Sequence, residues 1–301
     1  MSSPSETRGS GTIHDIGYRP YDGVRLGEGA VAWSLFRTGV RHCFGLGRSG
    51  RSKVLPMTLL GAMLLPAVIL VAVLVQAKDA LGLTGQIVPY SRYALITQVV
   101  ISVFVAAQAP ALISRDLRFR TITLYLARPL RRSTYVLVRL ASLLVAVLAL
   151  IAAPLLVLYL GGLLADLPPG RETRLFLGAL AGALLLAALL SGVAALISAV
   201  TTRRGLAVAA IIVVLVVSFT VVAAVQGIGT EQGLPRLAQL AGLLSPYTLV
   251  DGLQVWLFGA AASTPAPPTG RTGVLFAVTA LAVIAASVLG LLARYRRTTA
   301  L

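Results

Sequence analysis

"ISRDLRFRTITLYLARPLRRSTYVLVR" (Ile113–Arg139) decides how the rest of the chain is read. It sets seven arginines (Arg115, Arg118, Arg120, Arg128, Arg131, Arg132 and Arg139) against one acid, Asp116, and both flanks are nearly unbroken Leu, Val, Ile and Ala. Over 301 residues, 57% are hydrophobic and 12% charged, against about 25% charged in an ordinary soluble domain. A soluble fold of that composition would have too little polar surface to show water. The pattern implies an all-α integral membrane protein.

Crossing a hydrocarbon layer of ~30 Å takes about 20 apolar residues in a helix. Six runs reach that length, at about 54–77, 92–114, 134–164, 174–200, 205–226 and 272–293. The third is longer than a bilayer needs, so it is expected to start outside the membrane near Thr134 and to kink at Pro154. Barrel strands would show short alternating segments instead of these continuous runs.

Lysine and arginine gather on the cytoplasmic side of membrane proteins. With the N-terminus inside, the cytosolic pieces hold eight in the first 53 residues, seven in 115–139, two in "TTRRG" and three in "RYRR". The exterior pieces hold six: Lys78, Arg92, Arg171, Arg174, Arg236 and Arg271. Both termini are therefore expected in the cytosol of a bacterial plasma membrane. The net charge of +16 is spread over loops flanking the spans, so topology and anionic lipid account for it and nucleic acid is not implied as a partner. One cysteine, Cys43, permits no internal disulfide, and His14 and His42 are the sole imidazoles. Residues 1–53 are polar and lack a short apolar region with a cleavage site, so the first run is expected to serve as its own insertion signal.

Residues 1–27, rich in Ser, Gly and charge, read as a loose cytosolic arm. In "EGAVAWSLFRTGVRHCFG" (28–45), Trp33, Phe36, Val40, Cys43 and Phe44 share a helical face edged by Arg37 and Arg41. That is the pattern of a helix lying in the membrane interface, the alternative being one docked on protein. "GLGRSGRSK" (45–53) breaks it before the first span. On the exterior side, "LLSPYTLVDGLQVWLFG" (243–259) offers Ser245 as N-cap and Pro246 at the first helical position. Leu249, Val250, Leu253, Trp256 and Leu257 make its apolar face. Too short to span, it is expected to be re-entrant or surface-lying, with Trp256 near the headgroups. "STPAPPTG" then reads as an extended connector.

None of the ten acids falls inside a run as bounded above, and there is no G-x-x-x-x-G-K-[ST] phosphate loop. Ion-coupled pumps keep ionisable groups at depth, and intramembrane enzymes need comparable chemistry. Uphill work would thus draw energy from another polypeptide. The opening segment is where such a motor could push. "DLRFRTITLYLARPL" can form a short helix ended by Pro129, with Phe119, Ile122 and Leu126 on one stripe and Arg118, Thr121 and Tyr125 on another. It suits a groove on an acidic soluble partner; the plainer alternative is a basic loop on lipid headgroups.

The stretch "PALISRDLRFRTITLYLARPLRRSTYVLVRL" (110–140) resembles the segment between spans two and three of type-two ABC exporter permeases. Their Leu-x-Arg-Pro-x-x-Arg-x-x-Tyr pattern corresponds here to Leu126, Arg128, Pro129, Arg132 and Tyr135. Six spans, an amphipathic N-terminal helix and hydrophobic exterior helices before span six extend the likeness from about residue 28 onward. The resemblance implies a permease without its own ATPase site, paired as a homo- or heterodimer. Each subunit would dock on a cytosolic ATP-binding subunit that holds ATP and Mg. It implies a coupling helix in 115–133, with Asp116, Arg118, Phe119, Arg120, Thr121, Tyr125 and Leu126 as contacts. The helix 28–45 (Trp33, Phe36, Arg37, Val40, Arg41, Phe44) would lie nearby, and exterior segment 237–258 (Tyr247, Leu253, Trp256) would cap the path. Thr97, Phe104 and Gln108, aligned on span two with Ile101, are expected to face protein or a cavity, as packing groups or as part of a substrate route. Gly178-x-x-x-Gly182 and Gly192 suggest close helix packing. An uncharged interior favours a hydrophobic or amphipathic cargo. The rival functions are a non-transporting membrane anchor that recruits a cytosolic partner and, further off, an ion-coupled transporter.

Overall fold

The computed structural model describes residues 23, 27–47, 49–82, 85–114, 130–201 and 203–298. Every regular element among them is helical. A backbone in lipid must satisfy its own N–H and C=O groups, and helices do so within one segment. In chain order these are α1 (Glu28–Cys43), α2 (Gly50–Leu81), α3 (Tyr90–Ile96), α4 (Gln98–Leu112), α5 (Arg132–Leu164) and α6 (Pro169–Val200). Then follow α7 (Arg204–Ile212), a π-helical turn (Val213–Val217), α8 (Ser218–Glu231), α9 (Pro235–Ala241), a 3-10 turn (Gly242–Leu244), α10 (Pro246–Phe258) and α11 (Arg271–Thr298).

Five helical stretches are long and apolar enough to cross a membrane: α2, α5, α6, the run α7 through α8, and α11. The chain is a multi-pass membrane protein. A sixth crossing exists if α3 and α4 are taken as one span, but the two meet at 62°. The straight second span expected over 92–114 is therefore broken. Thr97 sits at the break with φ −94° and ψ 13°, outside the helical region. Its Oγ1 donates to the Tyr93 carbonyl at 2.8 Å, the back-bonding that bends helices. Tyr93 is itself pinned, donating its hydroxyl to the Met63 carbonyl of α2 at 2.5 Å.

α5 and α6 form the centre. α5 runs as a single helix through Pro154, and its Leu143, Val147, Leu150 and Ile151 are fully buried. α1 and α2 pack on α5, whereas α10 and α11 pack on α6. The glycine pair of α6 does what its spacing suggested. A Cβ on Gly182 would collide with the Gln254 side chain, and one on Gly178 would touch Phe258 at 3.5 Å, so the pair accepts two α10 residues that are themselves four apart. Gly192 likewise faces Ser287 of α11.

Two expected helix faces need correction. α1 buries Leu35, Gly39 and Cys43 against the bundle; of the expected face of Trp33, Phe36, Val40, Cys43 and Phe44 only Cys43 is buried, and the docking face is rotated from it by about a quarter-turn. A Cβ on Gly39 would lie 2.5 Å from Ser142 Oγ of α5, so a missing side chain admits this contact. Trp33 remains 65% exposed and stacks on Phe36 with ring centroids 5.4 Å apart. The sequence pattern registered bulk, and the docking surface is set by its absence. α10 is neither one-sided nor surface-lying: Tyr247 through Gln254 are all buried, while Leu257 is 55% exposed. Trp256 lies against Gly273 of α11, where a Cβ would strike its indole.

Helix alternation makes two ends. One gathers residues 43–53, 112–114, 130–139, 198–204 and 292–298, where most arginines of the described residues cluster, and is called the basic end. The opposite end gathers 78–92, 164–174, 231–236 and 258–271.

Candidate functional site

At the basic end, the segment expected to couple lies outside the described residues, with Asp116, Arg118, Phe119, Arg120, Thr121, Tyr125 and Leu126. Both its flanks are described, and both are tied to the bundle. On the leading side, Ser114 Oγ donates to the Ser198 carbonyl of α6 at 2.5 Å. On the trailing side, Glu28 of α1 closes the start of α5. Its Oε1 accepts from the Arg131 backbone N–H at 3.2 Å and from Thr134 Oγ1 at 2.7 Å, and its Oε2 lies 3.6 Å from Arg131 Nε. α5 has no cap from its own N-cap residue, and an acid from another helix holds its start through the Arg131 N–H and the Thr134 hydroxyl, at the positive end of the helix dipole. The Thr134 and backbone hydrogen bonds, with the Arg131 charge, hold the Glu28 carboxyl below its usual range.

Next to this clamp, Leu130–Ser133 and Val136 of α5 and Leu292, Tyr295 and Arg296 of α11 line a hollow of about 500 Å³. Deeper, Arg139 is buried, with its guanidinium 5.4 Å from the Tyr135 ring and Tyr135 beside Tyr295. A cation one turn into a span was missed. Its Tyr135 partner four residues earlier is the signal that marks it. Arg294 Nε donates to the Ala199 carbonyl at 3.4 Å, meeting the negative end of α6. The segment 115–129 thus springs from α4 and α5 where these contact α1 and α6.

The opposite end has exposed arginines too, and beside them buried acids. Glu172, in the first turn of α6, is 1% exposed. Tyr90 Oη donates to its Oε2 at 2.5 Å, and Gln86 Nε2 reaches the same oxygen at 3.5 Å. Gln86 Nε2 also donates to Tyr90 Oη and to the Leu158 carbonyl, each at 3.0 Å. Glu172 Oε1 is buried without a hydrogen-bond partner. The cluster lines a cavity of about 780 Å³ with Arg171 and Arg174 on the same wall and Leu175, Leu257 and Phe258 as its apolar side. In α10, Asp251 is 3% exposed, and its Oδ2 accepts from the Ser263 N–H and Thr264 Oγ1, each at 3.2 Å. Burial raises its carboxyl above the usual range, and those hydrogen bonds oppose the shift.

Of the residues expected on the exterior side, Tyr247 donates to the Gln98 carbonyl at 3.0 Å, lies 2.7 Å from Ser102 Oγ and meets Phe219 edge-on. It ties α10 to α4 and α8. Leu253 is buried, and Trp256 is half-buried on α11. Ser245 and Pro246 occupy the expected N-cap and first helical positions, but Ser245 Oγ makes no capping bond. Thr97, Phe104 and Gln108 are all buried and line neither cavity; Phe104 rests 5.7 Å from Phe44, joining α4 to the end of α1. On α1, Arg37 and Arg41 are exposed, Phe36 and Val40 half-buried.

The Gln86/Tyr90/Glu172 cluster was not anticipated. The run bounded at 174 left Glu172 outside the span, whereas the helix begins at Pro169 and carries it inward. Pro168-Pro169 was the available signal, because proline favours the first helical position. Among the described residues, no group of three or more His, Cys, Asp and Glu comes together. No family model and no curated protein matches this chain.

Proposed function

We propose that this chain is the membrane subunit of an ATP-driven exporter of the type-two ABC permease kind. A separate cytosolic ATP-binding subunit docks on residues 115–133. The basic end faces the cytosol with both termini, in a bacterial plasma membrane, and a second permease subunit completes the complex. The observation that carries this is the anchoring of both flanks of 115–129: Ser114 to α6, and Arg131 with Thr134 to Glu28 of α1. A displacement of that segment by closing ATPases would be felt at once in α1, α4, α5 and α6. The bundle then shifts between two states, each favoured by a different nucleotide condition of the motor. A hydrophobic or amphipathic cargo suits spans composed mainly of Leu, Val and Ala.

Among the described residues the buried charged side chains are Arg139, Glu172 and Asp251, each on a separate helix. In vesicles holding the complex, Asp116→Asn or Arg118→Gln is expected to lower transport at least about tenfold. ATP hydrolysis and assembly would persist. Full transport by both variants would overturn the coupling role. A chain that binds a cytosolic partner but moves no cargo under hydrolysis would instead be the non-transporting anchor.

A further inference from the structure

The cavity at the opposite end has a chemistry that transport coupling does not use. Three features meet in it. The first is a buried carboxylate half supplied with donors: Tyr90 and Gln86 both serve Glu172 Oε2, and Oε1 has no partner among the described residues. A buried acceptor left in that state costs stability and calls for a donor, and an ammonium gives the strongest charge-assisted bond. The second is two guanidinium side chains, Arg171 and Arg174, on the same helix turn as Glu172 and lining the same space. They suit a phosphate, with Arg able to engage two oxygens at once. The third is an apolar side from Leu175, Leu257 and Phe258, beside the ends of the spans. At about 780 Å³ the cavity falls within the roughly 300–1,000 Å³ of small-molecule sites.

We propose that this cavity binds a zwitterionic amphiphile, its ammonium on Glu172, its phosphodiester at Arg171 and Arg174, and its first chain carbons along Leu175, Leu257 and Phe258. The shared chemistry is an ammonium two carbons from a phosphodiester, as in an ethanolamine phospholipid. A lipid source is favoured over a soluble one because the apolar wall adjoins the polar cluster. The inference does not rest on an ATPase partner.

Native mass spectrometry of the detergent-purified full chain tests it, with dioctanoyl phosphatidylethanolamine, dioctanoyl phosphatidylmethanol and free phosphoethanolamine as probes. The ethanolamine lipid should bind about tenfold tighter than the methanol lipid, which has the same phosphodiester and no ammonium. Glu172→Gln should abolish that preference. Arg174→Gln, at an exposed position, should weaken both lipids several-fold and keep the preference. Free phosphoethanolamine should bind far more weakly than either lipid. Equal affinity of the wild-type chain for both lipids would overturn the proposal, as would a preference that survives Glu172→Gln or tight binding of the tailless headgroup. Should Glu172→Gln not fold, the wild-type comparison and Arg174→Gln still decide: both lipids unaffected by the latter would also overturn it.

Discussion

The two ends of the bundle treat charge in opposite ways. At the basic end, the ion pair is in solvent: the Arg131 side chain is 83% exposed and Glu28 35%. At the opposite end, the carboxylates of Glu172 and Asp251 are buried and arginines line the wall beside Glu172. Exposed ion pairs add about 0–1 kcal/mol, whereas stranding a buried polar group costs roughly 1–3 kcal/mol. The exposed charges of the basic end can therefore pass to a partner or to lipid at little structural cost, whereas the buried carboxylates of the opposite end hold a shape.

That contrast orders the expected effects. The largest belongs to Gly182→Leu, which drives a side chain into Gln254 where α6 and α10 meet. Overpacking a close helix contact costs about 1–3 kcal/mol or more. Thermal unfolding in detergent, followed by Trp256 fluorescence in a Trp33→Phe background, should shift downward by several degrees; an unchanged midpoint would mean that α10 does not dock as described. Tyr90→Phe comes next. It removes the shortest donor to Glu172 and an acceptor for Gln86, for roughly 1–3 kcal/mol. Arg131→Ala, on the solvent side of its pair, should cost under about 1 kcal/mol by the same measurement. If it equals Tyr90→Phe, the contrast between the ends is lost.

The smallest effect is a pH dependence at Glu28. Its carboxyl is held below the unfolded value by the Thr134 and Arg131 contacts. What it contributes is present above the unfolded pKa and fades as pH falls through the lower folded one. Protection from hydrogen exchange at the start of α5, taken relative to the intrinsic rate at each pH, should therefore be high at neutral pH and fall on acidification below the ordinary carboxylate range, and Glu28→Gln should remove that dependence. Acid sensitivity that persists in Glu28→Gln would assign it to another group.

The helical class and most span positions were legible because they follow from long apolar runs, which one residue's context cannot reverse. What failed depended on neighbours. The break at Thr97 needs the Tyr93 hydroxyl pinned on Met63, a contact 30 residues away in sequence. The docking face of α1 is centred on Gly39, which carries no hydrophobic signal at all. α10 looked one-sided because Asp251 and Gln254 are polar, yet Asp251 Oδ2 accepts from Ser263 and Thr264 of the following connector, and Gln254 fits over Gly182. The Glu172 cluster joins the α2–α3 connection, the first residue of α3 and the first turn of α6, which no local pattern brings together. The Gly178/Gly182 pair was readable for the opposite reason: four-residue spacing of small residues is itself a contact motif.

The sidedness of residues 115–133 tests the central claim most directly. A chain carrying Arg118→Cys and Cys43→Ala would be exposed to a membrane-impermeant maleimide in intact and in permeabilised cells. The account predicts labelling after permeabilisation alone, reduced when the ATP-binding subunit is present. Full labelling of intact cells would place the segment outside and contradict it.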